Sequence, residues 1–420
     1  MKQNSREILL LIARPQSYRI SPYLFAARQM GLKVLLASDG EHSLTSEIHD
    51  GLHIHLENFD KALDTIICAA QKTPFCGVLG CDDSTVELAA RVAQQLQLPH
   101  NPPQAARLSR RKDLSRVHLL KHGCAVPQHY FLDLNQNVAE QLTQINYPCV
   151  VKPVHLSASR GVIRANNKEE LITACERIKP IITAASDVIE STRLIVEDYI
   201  DGVEVAYEGF LCEGQLQTLA IFDKPIPLVG PFFEESIYVT PSQLSIKQQQ
   251  QIHQSLSQAC DAYGLSTGPI HAELRIDEKN AWILEIASRT IGGDCGRTLD
   301  NSEDGNKFTI EELAISLAIG KKVDSKPVQG SRGVMMIPIP KAGILNRVDG
   351  LAAAGQVEFI DKIDIIISPG HELVPTPEGE QYPGYIFARA ETPQQVITAL
   401  QNAHSKLKFI ISPLWKINGK

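Results

Sequence analysis

Apolar residues in this chain fall into short runs separated by polar, glycine- and proline-marked breaks, and the period of the runs changes in a regular order. Residues 7–13 (EILLLIA) are apolar almost throughout, as a strand buried on both faces is. Residues 21–30 carry helical spacing that Gly31 stops, and 33–38 (KVLLAS) read as a second strand. Strand, helix and strand at this spacing predict a parallel βαβ unit. Residues 52–56 alternate Leu, His, Ile, His, Leu, which puts His53 and His55 on one strand face. That face is a solvated one unless a third ligand makes it a metal site, and no third ligand is apparent nearby. A helix over 60–71 leads to FCGVLGC, another strand, which ends in Cys81-Asp82-Asp83. Ser84 and Glu87 have the spacing of a capping box for the next helix. Asn101-Pro102-Pro103 closes this first α/β unit, residues 1–105. It holds no GxGxxG, so its Rossmann-like look does not by itself imply a nicotinamide cofactor.

Residues 109–123 predict a basic helix ending at Gly123. Lys and Arg crowd its first turn, where the helix dipole favours acids. Lys112 is therefore a candidate anion contact if an anion sits nearby, and otherwise part of a solvated basic turn. A short strand follows Pro127, then a helix over 137–145. In YPCVVKPVHLSASRGVIRA, 147–165, a buried strand ends in Lys152-Pro153 and a small-residue loop with Ser157, Ser159 and Gly161 leads into the next strand. A strand-end lysine beside such a loop is suited to gripping phosphate oxygens through charge and backbone N–H groups. An ordinary hairpin loop reads the same way, and no GK[ST] opens a helix here. Asn167 and Glu170 cap a helix over 168–178. Strands are predicted at 194–199, 203–211 and 215–222, with turns at Asp201-Gly202 and Glu213-Gly214. Glu197, Glu204 and Glu208 are acids inside these apolar strands, and edge exposure is the plainest account of each. Residues 225–242, rich in proline and aromatic residues, predict an irregular substrate loop or lid. A helix over 245–263 follows.

The stretch 271–293, HAELRIDEKNAWILEIASRTIGG, carries the densest chemistry. Strand parity places His271, Glu273 and Arg275 on one face and Ala272, Leu274 and Ile276 on the other. In the return strand Ile283, Glu285 and Ala287 share a face, opposite Trp282, Leu284 and Ile286. A turn about Glu278–Lys279 brings Glu273 and Glu285 nearly opposite each other. Like charges across a strand pair are destabilising, so a cation between them is expected, unless the hairpin is an exposed one with ordinary surface charges. Arg289 and Gly292-Gly293 follow directly, and the set suggests a site for a divalent metal and a phosphate. Beyond it, 309–320 predicts a helix. Residues 333–418 predict a small α+β lobe with strands near 334–339, 357–359, 363–367 and 384–390 and a helix at 393–406.

Composition narrows the class. The chain has 420 residues, 43% hydrophobic and 21% charged, the range of a soluble globular protein of about two to four domains. A formal net charge of −7 argues against nucleic acid as a partner. Nine scattered cysteines with no CxxC pair make a disulfide framework or a zinc site unexpected, and a reducing cytoplasm is the default compartment. The apolar run Ile8 to Ala13, stopped by Arg14, is too short for a signal-peptide core or a membrane span.

The motifs VVKP at 150–153, VEDYIDGVEV at 196–205 and HAEL…ILEIASRTIGG at 271–293, in this order and spacing, resemble the ATP-grasp superfamily from about residue 5 to residue 410. Within it the chain looks most like the carboxylate–amine ligases that act on amino acids and dipeptides (L-amino acid ligase, carnosine synthase). It is more distantly similar to biotin carboxylase and the purine carboxylate–amine ligases. The resemblance implies an α/β and α+β architecture: a Rossmann-like parallel-sheet domain (1–105), an ATP-grasp domain (106–325) and a C-terminal α+β lobe (326–420). It implies ATP and Mg2+ (or Mn2+). Lys112 and Lys152 would contact ATP phosphates under the 155–161 loop with Ser157, Ser159 and Gly161. Glu197 would accept from the adenine amino group, with the backbone of Asp198 and Ile200 on the adenine edge. Glu204 would hold the ribose hydroxyls, Glu273 and Glu285 the metal, and Arg289 the transferred phosphoryl or acyl-phosphate. Two positions depart from the pattern: Ala287 stands where many relatives have a metal-binding Asn, and the phosphate loop has a single glycine. Magnesium commonly keeps several waters, so two carboxylates, phosphates and water suffice chemically.

The implied reaction is ADP-forming amide ligation through an acyl-phosphate, with a small carboxylate and an amine as substrates. A bicarbonate-dependent carboxylase and a non-catalytic ATP sensor are the alternatives. Dependence of ATP turnover on bicarbonate, or nucleotide binding without turnover, would identify them. Arg297 is a candidate for a substrate carboxylate by position, or else a surface arginine. No membrane partner is expected, and a homodimer is the commonest assembly for such a chain.

Overall fold

The computed structural model describes residues 7–39, 51–185, 192–300, 308–323 and 330–414. The first four strands form a parallel sheet in the order Gly51–His53, Lys33–Ser38, Ile8–Ile12, Phe75–Gly80. Leu10 and Ile12 pack on one face with Ile66 and Leu88, while Leu9 and Leu11 pack on the other with Tyr23 and Ile315. Both faces are covered, which is why these strands are apolar without alternation. His53 and His55 are exposed with rings 5.0 Å apart, and among the described residues they join no metal-holding group.

The expected Ser84–Glu87 capping box does not form. The helix Val86–Gln95 starts after Thr85, whose side chain makes no capping bond. Thr85 instead donates to the Asp82 carbonyl (2.9 Å) and accepts from the Asp82 N–H (3.1 Å), closing the 82–85 turn on itself. Glu87 is drawn away to Arg91 at 2.6 Å. The basic helix predicted over 109–123 is shorter, Lys112–Lys121, and follows a separate helix Pro103–Leu108, so Lys112 opens it.

A four-stranded antiparallel sheet follows, in the order His129–Asp133, Arg193–Asp198, Cys149–Pro153, Ile163–Ala165. The helix Lys168–Ala185 covers one face, with Leu171, Ile178 and Ile182 against Val151 and Val196. It runs past Pro180, beyond the expected end at 178, because burial of Ile181 and Ile182 outweighs the lost hydrogen bond. The helix predicted over 137–145 contracts to Val138–Gln141.

The largest sheet has eight antiparallel strands: Ala281–Ala287, Gly268–Ile276, Val203–Cys212, Gln215–Asp223, Ile237–Thr240, Ser331–Met336, Gly384–Ala390 and Ile360–Ile365. The helix Ile246–Tyr263 packs on it, with Ser245 and Gln248 making a true capping box and Gly264 in the left-handed region ending it. Val203–Cys212 lies third in this sheet and Arg193–Asp198 lies inside the smaller one, so the acids on them are not edge residues. The proline-rich stretch 225–242 is not irregular throughout, since Ile237–Thr240 pairs with Ser331–Met336. The sheet also crosses residue 325 and takes in three strands of the C-terminal lobe. In that lobe residues 357–359 are not a strand. They follow the helix Leu351–Gly355, Phe359 has a φ of +71°, and the strand begins at Ile360. Gly343–Asp349 pairs with Glu372–Leu373 on one side and Lys408–Ser412 on the other in a separate small sheet. No helix of the described residues is long and apolar enough to cross a membrane.

The helix Ile310–Ala318 ties the parallel sheet to the large one. Ala314 and Ile315 pack with Leu9 and Leu11, while Leu313 and Leu317 pack with Phe210. The approach is close at Gly77, where a Cβ would lie 2.8 Å from the Ala318 carbonyl oxygen and 2.9 Å from Ile319 Cγ2. Overpacking of this kind costs about 1–3 kcal/mol. Gly77→Val is therefore expected to lower the calorimetric melting midpoint, and an unchanged midpoint would contradict the close approach.

Candidate active site

The hairpin 268–287 is where strand geometry and charge meet. Its register places Glu273 directly opposite Glu285 and His271 opposite Ala287, with a bulge between Glu273 and Leu274. The bulge changes the expected parity. Ile283 turns into the core beside Leu274, while Leu284 lines the cleft next to Glu285. One extra residue thus brings two carboxylates into register that a plain turn leaves one step apart. Each acid has its own cation: Glu285 lies 3.1 Å from Lys112 Nζ, and Glu273 lies 3.5 Å from Lys224 Nζ.

Glu273, Glu285 and Lys112 line one cleft of about 970 Å3. Lys112, Lys152, Ser157, Ser159, Glu197, Asp198, Ile200, Glu204, Glu273, Glu285 and Arg289 all reach it. Lys112 Nζ also donates to the Leu156 carbonyl at 2.8 Å, fixing the start of the small-residue loop. In that loop Ala158, Ser159 and Gly161 all have positive φ, the left-handed turns from which backbone anion nests are built. Gly161 does not offer its N–H to the cleft. That group donates to the Pro377 carbonyl at 2.9 Å, so the C-terminal lobe holds the loop down. Arg160 with Glu380 (3.0 Å) and Arg177 with Glu378 (2.6 Å) reinforce the same contact.

Glu197 is 3% exposed and sits between two cations, Lys152 at 2.6 Å and Arg116. Burial pushes its pKa up, but Arg116 and Lys152 prevail and hold it at about 2. Arg116, 1% exposed, also donates to the Leu284 carbonyl at the bulge. The Asp198 N–H donates to the Gln128 carbonyl at 2.9 Å, and the Ile200 carbonyl accepts from Arg275 Nη1 at 2.8 Å. Glu204 is held by Lys224 and Arg275, both at 2.8 Å. Glu208 is fully buried; it lies 3.3 Å from His271 and accepts the Ile291 N–H at 3.1 Å. Edge exposure therefore explains none of the three strand acids. Arg289 pairs with Asp83, and Arg297 with Asp294 (2.9 Å) and Asp364 (2.8 Å), stacked over Phe387.

Several groups in or behind the wall of this cleft carry no signal in local pattern. Arg116 and Asp83 find their partners only because the chain folds back over 81 and 206 residues, and Glu235 meets Lys224 across 11 residues of loop. Lys224 does carry one: Lys224-Pro225 ends a buried strand just as Lys152-Pro153 does. Lys224 is 3% exposed on its side chain and lies 2.5 Å from Glu235 as well as 2.8 Å from Glu204. Glu204, Glu235 and Glu273 bring carboxylate oxygens within 4.8 Å of one another around it. Burial and the adjacent Glu273 push the Glu235 carboxyl up to about 8, while Lys224 keeps Glu273 low against burial.

Three family models match the chain: an ATP-grasp domain over residues 145–298, an ATP-grasp N-terminal domain over 24–100, and the L-amino acid ligase C-terminal domain 2 over 335–412. The chain is 24% identical over 361 residues to carnosine synthase 1 of Gallus gallus, which covers 80% of this chain but only 38% of that protein. The L-amino acid ligase of Bacillus licheniformis superposes with a TM-score of 0.80 at 24% identity, over 97% of this chain and all of that one. The biotin carboxylase domain of the Hydrogenobacter thermophilus 2-oxoglutarate carboxylase, solved with MgADP and bicarbonate, superposes with a TM-score of 0.68 at 16% identity. That match covers 96% of this chain and 90% of its own. The structural matches establish a shared mixed α/β fold.

The Arg116–Glu197–Lys152 group generates a stability prediction. Removing the one acid leaves two buried cations unpaired, which costs about 3–5 kcal/mol. Glu197→Gln is expected to destabilise the protein by that order at pH 7. A carboxylate whose folded pKa is depressed contributes above its unfolded value and loses that contribution as pH falls through its folded value. The gap between wild type and Glu197→Gln in denaturant melts should therefore shrink as pH falls from 4.5 toward 2. A gap that is absent at pH 7, or that grows on acidification, would contradict the pairing.

Proposed function

The chain belongs to the ATP-grasp superfamily, and from that we propose that it is an ATP- and magnesium-dependent carboxylate–amine ligase that releases ADP. One observation carries this reading. Two lysines, Lys112 and Lys152, and the opposed acids Glu273 and Glu285 converge with Arg289 on a single cleft large enough for a nucleotide and two small substrates. The family match of the C-terminal lobe points to L-amino acids or similar small acids as the carboxylate substrate.

Lys112 and Lys152 would take ATP phosphate oxygens, with the Ser157–Ser159 backbone above them and the Asp198–Ile200 strand end and Glu197 along the adenine. Glu204 would face the ribose hydroxyls. Glu273 and Glu285 fit a magnesium ion: they are opposed hard oxygen donors, and Ala287, buried where a third ligand is common, supplies none, so that water would complete the set. Magnesium supplies positive charge to the phosphate oxygens there. In this reading the division into residues 1–105, 106–325 and 326–420 follows function, with the nucleotide on the middle part and the other two closing the cleft.

In the reaction, a carboxylate oxygen attacks the γ-phosphorus and the bond to ADP breaks. The amine then attacks the acyl carbon and phosphate leaves with the carboxylate oxygen that bridged to it. Phosphoryl transfer asks the protein chiefly for alignment and for charge on the equatorial oxygens. Lys112, Lys152 and Arg289, which share the cleft, would surround the place where that charge develops. Glu235, its carboxyl pushed up by burial and the adjacent Glu273, would trade a proton with the incoming amine.

Purified protein with Mg-ATP and a pool of amino acids, with and without bicarbonate, tests the proposal by mass spectrometry. ADP and phosphate that appear only with amino acids, together with a condensed mass, are expected. ADP formation that follows bicarbonate instead would move the reading to a carboxylase, and nucleotide binding with no turnover would move it to a sensor. Lys152→Ala and Glu285→Ala should each lower kcat/KM by about 100-fold or more, the scale of losing one major electrostatic contact. Wild-type turnover by both variants would overturn the site assignment.

A further inference from the structure

Arg289 is held before any ligand arrives. Its Nε donates to Asp83 Oδ1 at 2.7 Å and its Nη2 to Oδ2 at 2.9 Å, the two-pronged pairing that a guanidinium and a carboxylate make best. Nη1 donates to the Thr290 carbonyl at 2.9 Å. A guanidinium has five N–H groups. Three directions are thus taken by protein, and the planar fork sets the other two. The pair is largely shielded, with the Arg289 side chain 11% exposed and that of Asp83 21% exposed, and both residues line the cleft. The Arg289 guanidinium holds the Asp83 carboxyl well below the usual carboxylate range against the effect of burial.

Asp83 comes from far away in sequence, 206 residues from its partner. It sits just past the carboxyl end of the strand Phe75–Gly80, the end of a parallel sheet at which ligands gather. Its loop is braced. The neighbouring Asp82 accepts from the Arg14 N–H at 3.1 Å and from the Ser17 hydroxyl at 2.8 Å. The same N-terminal region reaches the loop after Arg289. Arg19 Nη1 donates to the carbonyls of Thr290 (3.1 Å) and Ile291 (3.0 Å), and the Gly293 N–H donates to the Tyr18 hydroxyl at 3.0 Å. Glu208 holds the Ile291 N–H from the sheet side. An arginine needed only as a stray surface charge would not be anchored on so many sides.

We propose that Asp83 is a positioning residue for phosphoryl transfer. It clamps Arg289 so that the two remaining N–H groups meet the transferred phosphoryl and the acyl-phosphate, and it makes the parallel-sheet domain a working part of the reacting centre. The proposal rests on the ligase reading above. A small misplacement of a reacting contact can cost about 100-fold in rate, and a clamp acting through one partner has no effect once that partner cannot be clamped.

The test is a kinetic cycle on the full chain with Asp83→Asn, Arg289→Lys and the double variant, using an amino-acid substrate that the wild type condenses. Asparagine keeps the shape of Asp83 but cannot accept both prongs, and lysine has no fork. Asp83→Asn is expected to lower kcat by about 10- to 100-fold while KM for ATP stays within about threefold. In the Arg289→Lys background it should lower kcat by less than about threefold further. Equal factors in the two backgrounds, a raised KM for ATP with kcat unchanged, or no effect in an active enzyme would each overturn the clamp. Asp83→Glu, which keeps the charge on a longer arm, takes the place of Asp83→Asn in the same cycle if the latter does not fold, with a smaller loss of about 3- to 10-fold expected. A wild type that forms no ADP with any amino acid would sink the ligase reading itself, and the clamp with it.

Discussion

Charge compensation inside the cleft is the constraint on which the rest of this structure depends. Taking an isolated carboxylate or ammonium out of water costs several kcal/mol, and only a close partner offsets that. Here the compensation runs from one sheet to the next. Arg116 and Lys152 share Glu197, Lys112 meets Glu285, and Lys224 sits among Glu204, Glu235 and Glu273. Each pair joins different elements, so the cleft cannot be closed correctly without bringing helix, small sheet and large sheet into their proper places. The same arrangement leaves Lys112 and Lys152 on the cavity wall beside their acids. Phosphate oxygens entering the cleft would compete for cations already aimed at the right region, which lowers the reorganisation that binding and chemistry require.

A second set of contacts makes the cleft a product of the whole chain. The loop after Arg289 is gripped from the parallel sheet by Tyr18, Arg19 and Asp83 and from the large sheet by Glu208. The small-residue loop is gripped from the C-terminal lobe through Gly161 and Arg160. Substrate-covering and phosphate-facing segments are therefore both anchored by regions that lie outside the middle sheet. Binding in such a cleft is felt by three bodies at once, which suits a reaction that must hold three reactants and exclude water.

Much of this was readable in the sequence because much of it is local. Strand parity depends on neighbours two residues apart, so the shared face of His271, Glu273 and Arg275 follows directly from the alternation. A lysine ending a buried strand is likewise a local feature, and it identifies Lys152 correctly as a cleft residue. What escaped is what tertiary structure creates. The bulge that turns Ile283 inward and Leu284 outward has no distinct residue signature. Arg116 meets Glu197 across 81 residues and Arg289 meets Asp83 across 206, distances over which periodicity says nothing. The capping box at Ser84 fails for the same reason, since Thr85 and Arg91 offer better partners once the turn has formed. Lys224 is the instructive omission, because the Lys-Pro strand end that drew attention to Lys152 recurs there unchanged.

Ligation through an acyl-phosphate fixes the route of one oxygen atom. A carboxylate substrate labelled with 18O in both oxygens, turned over by wild-type protein with Mg-ATP and an amine, separates the possible routes by mass spectrometry of the products. Passage through an acyl-phosphate predicts one labelled oxygen in the released inorganic phosphate and one kept in the amide. Label appearing in AMP, or phosphate released without label while amide forms, would contradict the proposed chemistry of this cleft.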